Sequence, residues 1–222
     1  MMLYHGSRMV IEKPMFGVGK VTNDYGLGFY CTEHRELACE WACPTRADGF
    51  VNAYDIDMTG LKVLNLNDQD YGILHWLYLL VVNRPVRLES QIQEEGMKWI
   101  LDHFPLDISD YDIVRGYRAD DSYFGFVRSF LENGISLAQL RRAMRLGNLG
   151  EQVVLKSRLA FDALLFRQYE VVSWRVYHLK RVGRDQEAKR QFQDELKSKA
   201  SEGLYMVDIL RGKMEADDAR LR

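Results

Sequence analysis

Apolar and polar residues alternate over several short segments of the chain, as is typical of β-strands with one buried face. The predicted strands lie within residues 1–7, 28–32, 50–57, 61–67 and 151–157. A further strand opens the segment 111–134, which then turns and continues as a helix. These strands are short, and glycines stand at or near several of their ends.

Other segments carry apolar residues at helical spacing. The predicted helices lie within residues 32–43, 72–83, 89–104, 136–147, 185–200 and 203–222. Thr32 is expected to cap the first of them, and the helix at 185–200 has so few apolar residues that we expect it to lie on the surface. Because strands and helices mix without strict βαβ alternation, the sequence predicts an α+β fold.

A chain of 222 residues favours one domain of moderate size with a smaller appended element. We expect the mixed α+β domain over residues 1–169 and a C-terminal helical extension over residues 170–222. The extension is expected to pack on the domain or next to it.

Composition and charge narrow the class of protein. A formal net charge of −2 provides no overall basic field, so nucleic-acid binding would need a local patch. The most apolar segment, 72–85, is shorter than the roughly 20 residues of a membrane span, and no signal sequence is visible. The 3 cysteines argue against a disulfide framework. Together these features predict a cytoplasmic protein that does not enter the membrane.

Several familiar chemistries lack their motifs in this sequence. Cys31, His34, Cys39 and Cys43 are close together, but Cys39 and Cys43 are one helical turn apart beside Trp41, which predicts packed thiols and no metal site. The chain has no Gly-x-Ser-x-Gly elbow, no Walker loop and no dinucleotide fingerprint between a strand and a helix.

Glycine-flanked aromatic motifs remain, and they favour a ligand pocket. Glycine lets a flat ligand lie against bare backbone, and a tyrosine at a strand edge supplies a stacking face. An amide or carboxylate at the head of a third strand can bind a sugar hydroxyl. The motifs are LYHGS (3–7), DYGLGFY (24–30), ACEWA (38–42), GYRADD (116–121) and EQVVLKS (151–157).

In this order the motifs resemble the His–Tyr–Glu signature of the ADP-ribosyltransferase superfamily. More closely, the chain resembles an uncharacterised bacterial family within that superfamily, and the resemblance extends over nearly the whole chain. It implies an α+β fold with a split two-sheet core, surrounding helices and a C-terminal helical extension. It also implies an NAD-dependent ADP-ribosyltransferase that cleaves the nicotinamide–ribose bond of NAD and transfers ADP-ribose to an acceptor, with NAD as co-substrate and no metal.

The resemblance implies a role for each NAD-binding position. His5 would hold the adenosine-side ribose of NAD, with Ser7 beside it. Gly6 would bind the nicotinamide carboxamide through its backbone. Tyr30 would stack on the nicotinamide ring, and Trp41 could close the other side.

The third motif offers two candidates for the catalytic residue. Gln152 matches the glutamine of the resembled family, whereas Glu151 has the carboxylate of the wider superfamily one place earlier. Adjacent strand residues point to opposite faces, so only one can face the cleft, and position favours Gln152. Asp120 and Asp121 are candidates for a nearby helper acid or, alternatively, a helix N-cap. Ala38 stands where the polymerases of the superfamily have a carboxamide-binding serine.

The expected binding partners of the protein are implied only by the resemblance. The acceptor is an unidentified protein or nucleic acid, and because some bacterial members are toxins, an antitoxin protein is a candidate partner. Two alternatives remain open at this point. One is a non-catalytic module that binds NAD or ADP-ribose. The other is a protein-interaction domain with a vestigial pocket.

Overall fold

The computed structural model describes residues 1–68, 70–118, 123–143, 151–197 and 203–221. In chain order the strands are β1 Met2–Ser7, β2 Phe29–Cys31, β3 Gly49–Ile56, β4 Val63–Asn65, β5 Ile113–Tyr117, β6 Glu151–Leu155 and β7 Leu164–Val172. The helices are α1 Arg35–Ala42, α2 Ile73–Asn83, α3 Gln91–His103, α4 Tyr123–Leu131, α5 Leu137–Ala143, α6 Arg158–Asp162, α7 Trp174–Lys197 and α8 Met206–Arg211, followed by a 3-10 helix, Ala219–Leu221.

The described strands form two sheets. The first has the order β1-β3-β7 and is antiparallel throughout. The second has the order β2-β6-β5-β4, with β4 and β5 parallel and the other pairs antiparallel. Strands and helices thus mix without a βαβ series, and the predicted α+β class with two sheets and surrounding helices is confirmed.

A backbone bridge joins β1 of the first sheet to the residue after β2. The Tyr4 N–H donates to the Thr32 carbonyl at 2.8 Å, and the Thr32 N–H donates back to the Tyr4 carbonyl at 2.9 Å. Thr32 is therefore not the helix cap that the sequence suggested. His34 occupies the cap position of α1, and its N–H donates to the Thr32 hydroxyl oxygen at 3.2 Å.

The core has three parts. The largest lies between the second sheet and the helices, and Trp76 and Leu80 of α2 are among its fully buried residues. The second fills the space between the two sheets, where Leu3, Phe29 and Leu155 meet. The third lies beneath α1. Each sheet therefore buries side chains against a neighbouring layer, as layered domains require.

The C-terminal segment contributes to this core. The predicted boundary after residue 169 falls inside β7, which continues to Val172 alongside β3. The helix predicted to lie on the surface is part of α7, where Ala188 is buried and the Phe192 ring lies 4.0 Å from that of Phe126. A few apolar residues are enough to anchor a helix when they share one face. In the described part of the chain no helix combines the length and apolar character needed to cross a bilayer.

Candidate functional site

A cavity of about 570 Å³ opens where the two sheets meet. Its walls come from β1, β2, β6 and α1, together with the irregular segment between β1 and β2. Small-molecule sites typically measure about 300–1,000 Å³, so this cavity is large enough for a ligand of that class. Four of the residues predicted to form the site line it: His5, Tyr30, Trp41 and Gln152.

The His5 side chain is held by two residues of β2. Its Nδ1 lies 2.7 Å from the Tyr30 carbonyl oxygen, and its ring stacks on Phe29 with 4.4 Å between centroids. A carbonyl can only accept a hydrogen bond, so Nδ1 carries the proton, and in the neutral ring Nε2 is an acceptor. Burial lowers the pKa of His5, and this outweighs the opposing effect of the Tyr30 hydrogen bond. The neutral acceptor form is therefore favoured.

Tyr30 presents its ring to the cavity while its hydroxyl is engaged elsewhere. The hydroxyl donates to the Gly26 carbonyl at 2.6 Å and accepts from the Tyr25 N–H at 3.0 Å. Gly26 has a φ of 72°, a left-handed conformation that glycine adopts without strain. Burial raises the pKa of Tyr30. The ring is thus an uncharged, positioned wall suited to stacking.

Trp41 forms another wall, from the last turn of α1. The Arg118 guanidinium lies 5.0 Å from its ring centroid, in cation–π range. Its indole Nε1 is buried and donates to no partner within the described chain. Buried donors are nearly always paired, so this N–H is suited to an acceptor on a ligand.

Gly6 and Ser7 lie beside the cavity but do not line it. A Cβ on Gly6 would lie 2.0 Å from the Ala38 carbonyl oxygen and 2.6 Å from the Ala42 nitrogen. Gly6 thus lets α1 pack directly on β1. The Ser7 hydroxyl accepts from Asn52 Nδ2 at 3.0 Å. Their proposed contacts with NAD stay predictions.

The two candidates of the third motif have different surroundings. Gln152 is buried and lines the cavity. Glu151 does not line it: its Oε1 accepts from Asn67 Nδ2 at 2.8 Å, and its Oε2 lies 3.8 Å from Arg115 Nη2. The alternation of strand side chains explains this separation. Asp120 and Asp121 lie outside the described residues.

Asp24 is a cavity residue that received no role from the sequence. The residue is 5% exposed, and its carboxylate accepts from Arg84 Nη1 at 2.9 Å and from Gln152 Nε2 at 2.7 Å. It is the acidic member of the lining found in the described chain, beside the cations Lys13, Arg84 and Arg118. The available signal was its place in DYGLGFY, directly before the glycine turn.

Asn52 of β3 holds the segment that lines the cavity after β1. Its Oδ1 accepts from the Ile11 N–H at 2.9 Å, and its Nδ2 donates to Ser7 Oγ and lies 3.3 Å from the His5 carbonyl oxygen. Asparagine is depleted in strands, so its presence in a strand pattern was a usable signal. This one amide holds the segment that leaves β1 and carries two cavity residues, Met9 and Ile11.

Lys156 binds the glycine turn that precedes β2. Its Nζ donates to the Tyr25 and Leu27 carbonyls, each at 2.6 Å, and burial lowers the pKa of its ammonium group. The lysine therefore fixes the glycine turn that positions Tyr30 and Asp24.

The histidine in this site predicts a pH dependence of stability. The pKa of His5 lies below its ordinary value of 6.5. Between that lowered pKa and 6.5 the unfolded chain binds a proton that the folded chain does not. The free energy of unfolding of the wild type should therefore fall relative to that of His5→Gln as the pH decreases through 6.5. Urea unfolding of both proteins at a series of pH values measures the difference. A difference that does not change with pH would show that His5 titrates normally.

Known protein families include one that matches this chain. A family described as "Protein of unknown function (DUF3990)" matches residues 1–166. The match includes β1, β2, α1 and β6, which form the cavity, and ends inside β7. No curated protein and no solved structure matches the chain. Because the match extends over most of the 222 residues, the chain belongs to the DUF3990 family.

Proposed function

We propose that the chain is an NAD-dependent ADP-ribosyltransferase with the split two-sheet core of that superfamily. The observation that supports this most strongly is the meeting of His5, Tyr30 and Gln152 on one cavity. They come from β1, β2 and β6, and β1 belongs to a different sheet from the other two. The same three positions carry the resemblance to the superfamily signature.

The cavity has properties that suit NAD. Its volume is in the usual range for small-molecule ligands, and the Tyr30 and Trp41 rings provide aromatic walls. The cations among its lining residues can bind a diphosphate. The buried Trp41 Nε1 has no acceptor among the described residues, and a ligand oxygen would provide one.

In this proposal each lining residue has one task. His5 accepts a hydrogen bond from a hydroxyl of the adenosine-side ribose through Nε2, and its Nδ1–H fixes the ring on the Tyr30 carbonyl. Tyr30 stacks on the nicotinamide. Gln152 hydrogen-bonds the 2′-hydroxyl of the nicotinamide ribose.

NAD supplies the ADP-ribosyl group. The bond between its ribose C1′ and the nicotinamide nitrogen breaks, and the electron pair leaves with nicotinamide. An electron pair of the acceptor nucleophile forms the new bond to C1′, and the acceptor's proton passes to solvent. The polar groups around the ribose stabilise the positive charge that develops during this exchange. A protein side chain or a nucleic acid is the acceptor, and toxin activity with an antitoxin partner forms part of the proposal.

The test is nicotinamide release from NAD by the purified protein. We expect the wild type to release nicotinamide and Gln152→Ala to do so about 100-fold more slowly, as when one preorganised contact to the developing charge is lost. Glu151→Gln is the matched control, because Glu151 does not line the cavity, and its rate should stay within about twofold of the wild type. Loss of release in Glu151→Gln alone would assign the catalytic position to Glu151.

A second candidate function is a module that binds NAD or ADP-ribose without turnover. The amide of Gln152 at the third motif position favours it, because an amide lacks the charge of the superfamily's glutamate. Thermal unfolding separates the two candidates, since a ligand that binds the folded state raises the Tm. A higher Tm in millimolar NAD without nicotinamide release, in the presence of candidate acceptors, would support the binding module.

A further inference from the structure

The orientation of the Gln152 amide is determined by its neighbour. A carboxylate accepts hydrogen bonds and donates none, so the group that faces Asp24 at 2.7 Å must be the Nε2 amine. The Oε1 atom then points away from Asp24. This oxygen accepts no hydrogen bond within the described part of the chain. Gln152 lines the cavity, so an Oε1 atom with no donor in the described chain can accept a hydrogen bond from a ligand.

The carboxylate of Asp24 is itself held in place. Arg84 Nη1 binds Oδ1 at 2.9 Å, and Oδ2 is the atom that accepts from Gln152. Asp24 and Gln152 are both nearly inaccessible to water. A hydrogen bond from the amide to a carboxylate also polarises the amide, which makes its carbonyl oxygen a stronger acceptor.

We propose that Asp24 is a positioning residue that makes Gln152 act as the carboxylate it replaces. This inference rests on the proposed transferase function. Asp24 turns Oε1 of Gln152 toward the 2′-hydroxyl of the nicotinamide ribose and increases the negative charge on that oxygen. Gln152 contacts the substrate, and Asp24 acts through it. The acid that the third motif lacks is thus supplied from the turn before β2.

The first variant is Asp24→Asn. An asparagine side chain can donate as well as accept, so it no longer fixes the Gln152 amide. We expect kcat for nicotinamide release to fall about 100-fold, as for misplacement of a reacting group, while the NAD affinity from titration stays within about threefold. The matched control is Asp55→Asn, which removes the acid of the Arg167–Asp55 ion pair, away from the cavity. This control should keep the wild-type kcat.

The decisive variant exchanges the two groups. In the double variant Asp24→Asn, Gln152→Glu, the amide at position 24 can donate to the carboxylate at position 152, and the charge faces the ribose directly. We expect kcat to return to within about threefold of the wild type or to exceed it. Gln152→Glu alone places two carboxylates together, so one of them binds a proton near neutral pH. Its rate should therefore rise with pH through an added titration that the wild type and the double variant lack.

The outcomes separate the inference from the proposed function. If the wild type releases nicotinamide but Asp24→Asn keeps its kcat, or if the exchange restores nothing, Asp24 is only structural and the inference is overturned. If Asp24→Asn does not fold, the double variant and the pH profile of Gln152→Glu still decide. A wild type that neither releases nicotinamide nor gains thermal stability from NAD overturns both proposals.

Discussion

Asn52→Asp is expected to destabilise the protein by about 3–5 kcal/mol at pH 8, the cost of burying a charge without an opposite charge beside it. The side chain at position 52 is fully buried, and its Nδ2 faces three oxygens, those of Ser7 Oγ and the His5 and Met9 carbonyls. A carboxylate of the same shape cannot donate to the two carbonyls. The cavity segment after β1 would lose its attachment to β3.

The sign of the pH dependence makes this prediction specific. The new carboxyl at position 52 is disfavoured when charged, so its pKa in the folded state should exceed the ordinary value of about 3.9. The loss of stability should therefore be full above that raised pKa and should shrink as the pH falls through it, because the protonated acid can donate.

Urea unfolding at several pH values measures this effect, with Asn67→Asp as the control. Asn67 is exposed and donates to Glu151, so the same exchange there should cost less than about 1 kcal/mol. Equal effects at the two positions would mean that Asn52 does not hold the segment.

Gly6→Ala is expected to destabilise the fold by 3 kcal/mol or more, above the roughly 1–3 kcal/mol usual for overpacking. The added methyl carbon would overlap the Ala38 carbonyl oxygen at 2.0 Å and approach Trp41 Cβ at 2.9 Å. Neither obstacle is the end of a flexible side chain, so α1 must move away from β1. Trp41 would move with it, and its wall of the cavity would be displaced.

Gly125→Ala is the matched control for this prediction. Gly125 lies within α4, and a Cβ there would meet nothing within 4 Å. Alanine is favoured over glycine in helices, so this variant should be unchanged or up to about 1 kcal/mol more stable. Thermal and denaturant unfolding of both variants provide the comparison. A folded, fully stable Gly6→Ala would contradict the close packing of α1 on β1.

The fold was predictable where the pattern is local. The alternation at 50–57 and the helical spacing at 72–83 and 89–104 correspond to β3, α2 and α3. The errors arose where distant residues decide. The Thr32 backbone is taken up by a bridge to Tyr4. The polar helix α7 does lie on the surface, but its attachment to Phe126 through Phe192 is a contact between distant residues. The residues next to Thr32 and Phe192 in the sequence do not indicate these contacts.

Part of the cavity lining could be predicted from the sequence, but the hydrogen bonds that connect it could not. The motif order brought together His5, Tyr30, Trp41 and Gln152, which the fold places on one cavity. Asp24 and Asn52 were missed because their importance depends on hydrogen bonds to Gln152 and to Ser7, far along the chain. Charge and polarity are visible in a sequence, whereas the partner that gives a buried polar group its role is not.

The bridge between Tyr4 and Thr32 has a consequence for how the cavity can vary. Its two hydrogen bonds are made by backbone atoms only, and a third joins His5 Nδ1 to the Tyr30 carbonyl close by. The hydrogen bonds that set the spacing between His5 and Tyr30 therefore do not involve the side chains of Tyr4 and Thr32. The exposed residues between 13 and 22, several of which border the cavity, make no backbone hydrogen bond to either sheet within the described chain. Chains of this fold can therefore keep one fixed distance between His5 and Tyr30 while the residues between 13 and 22 that border the cavity differ.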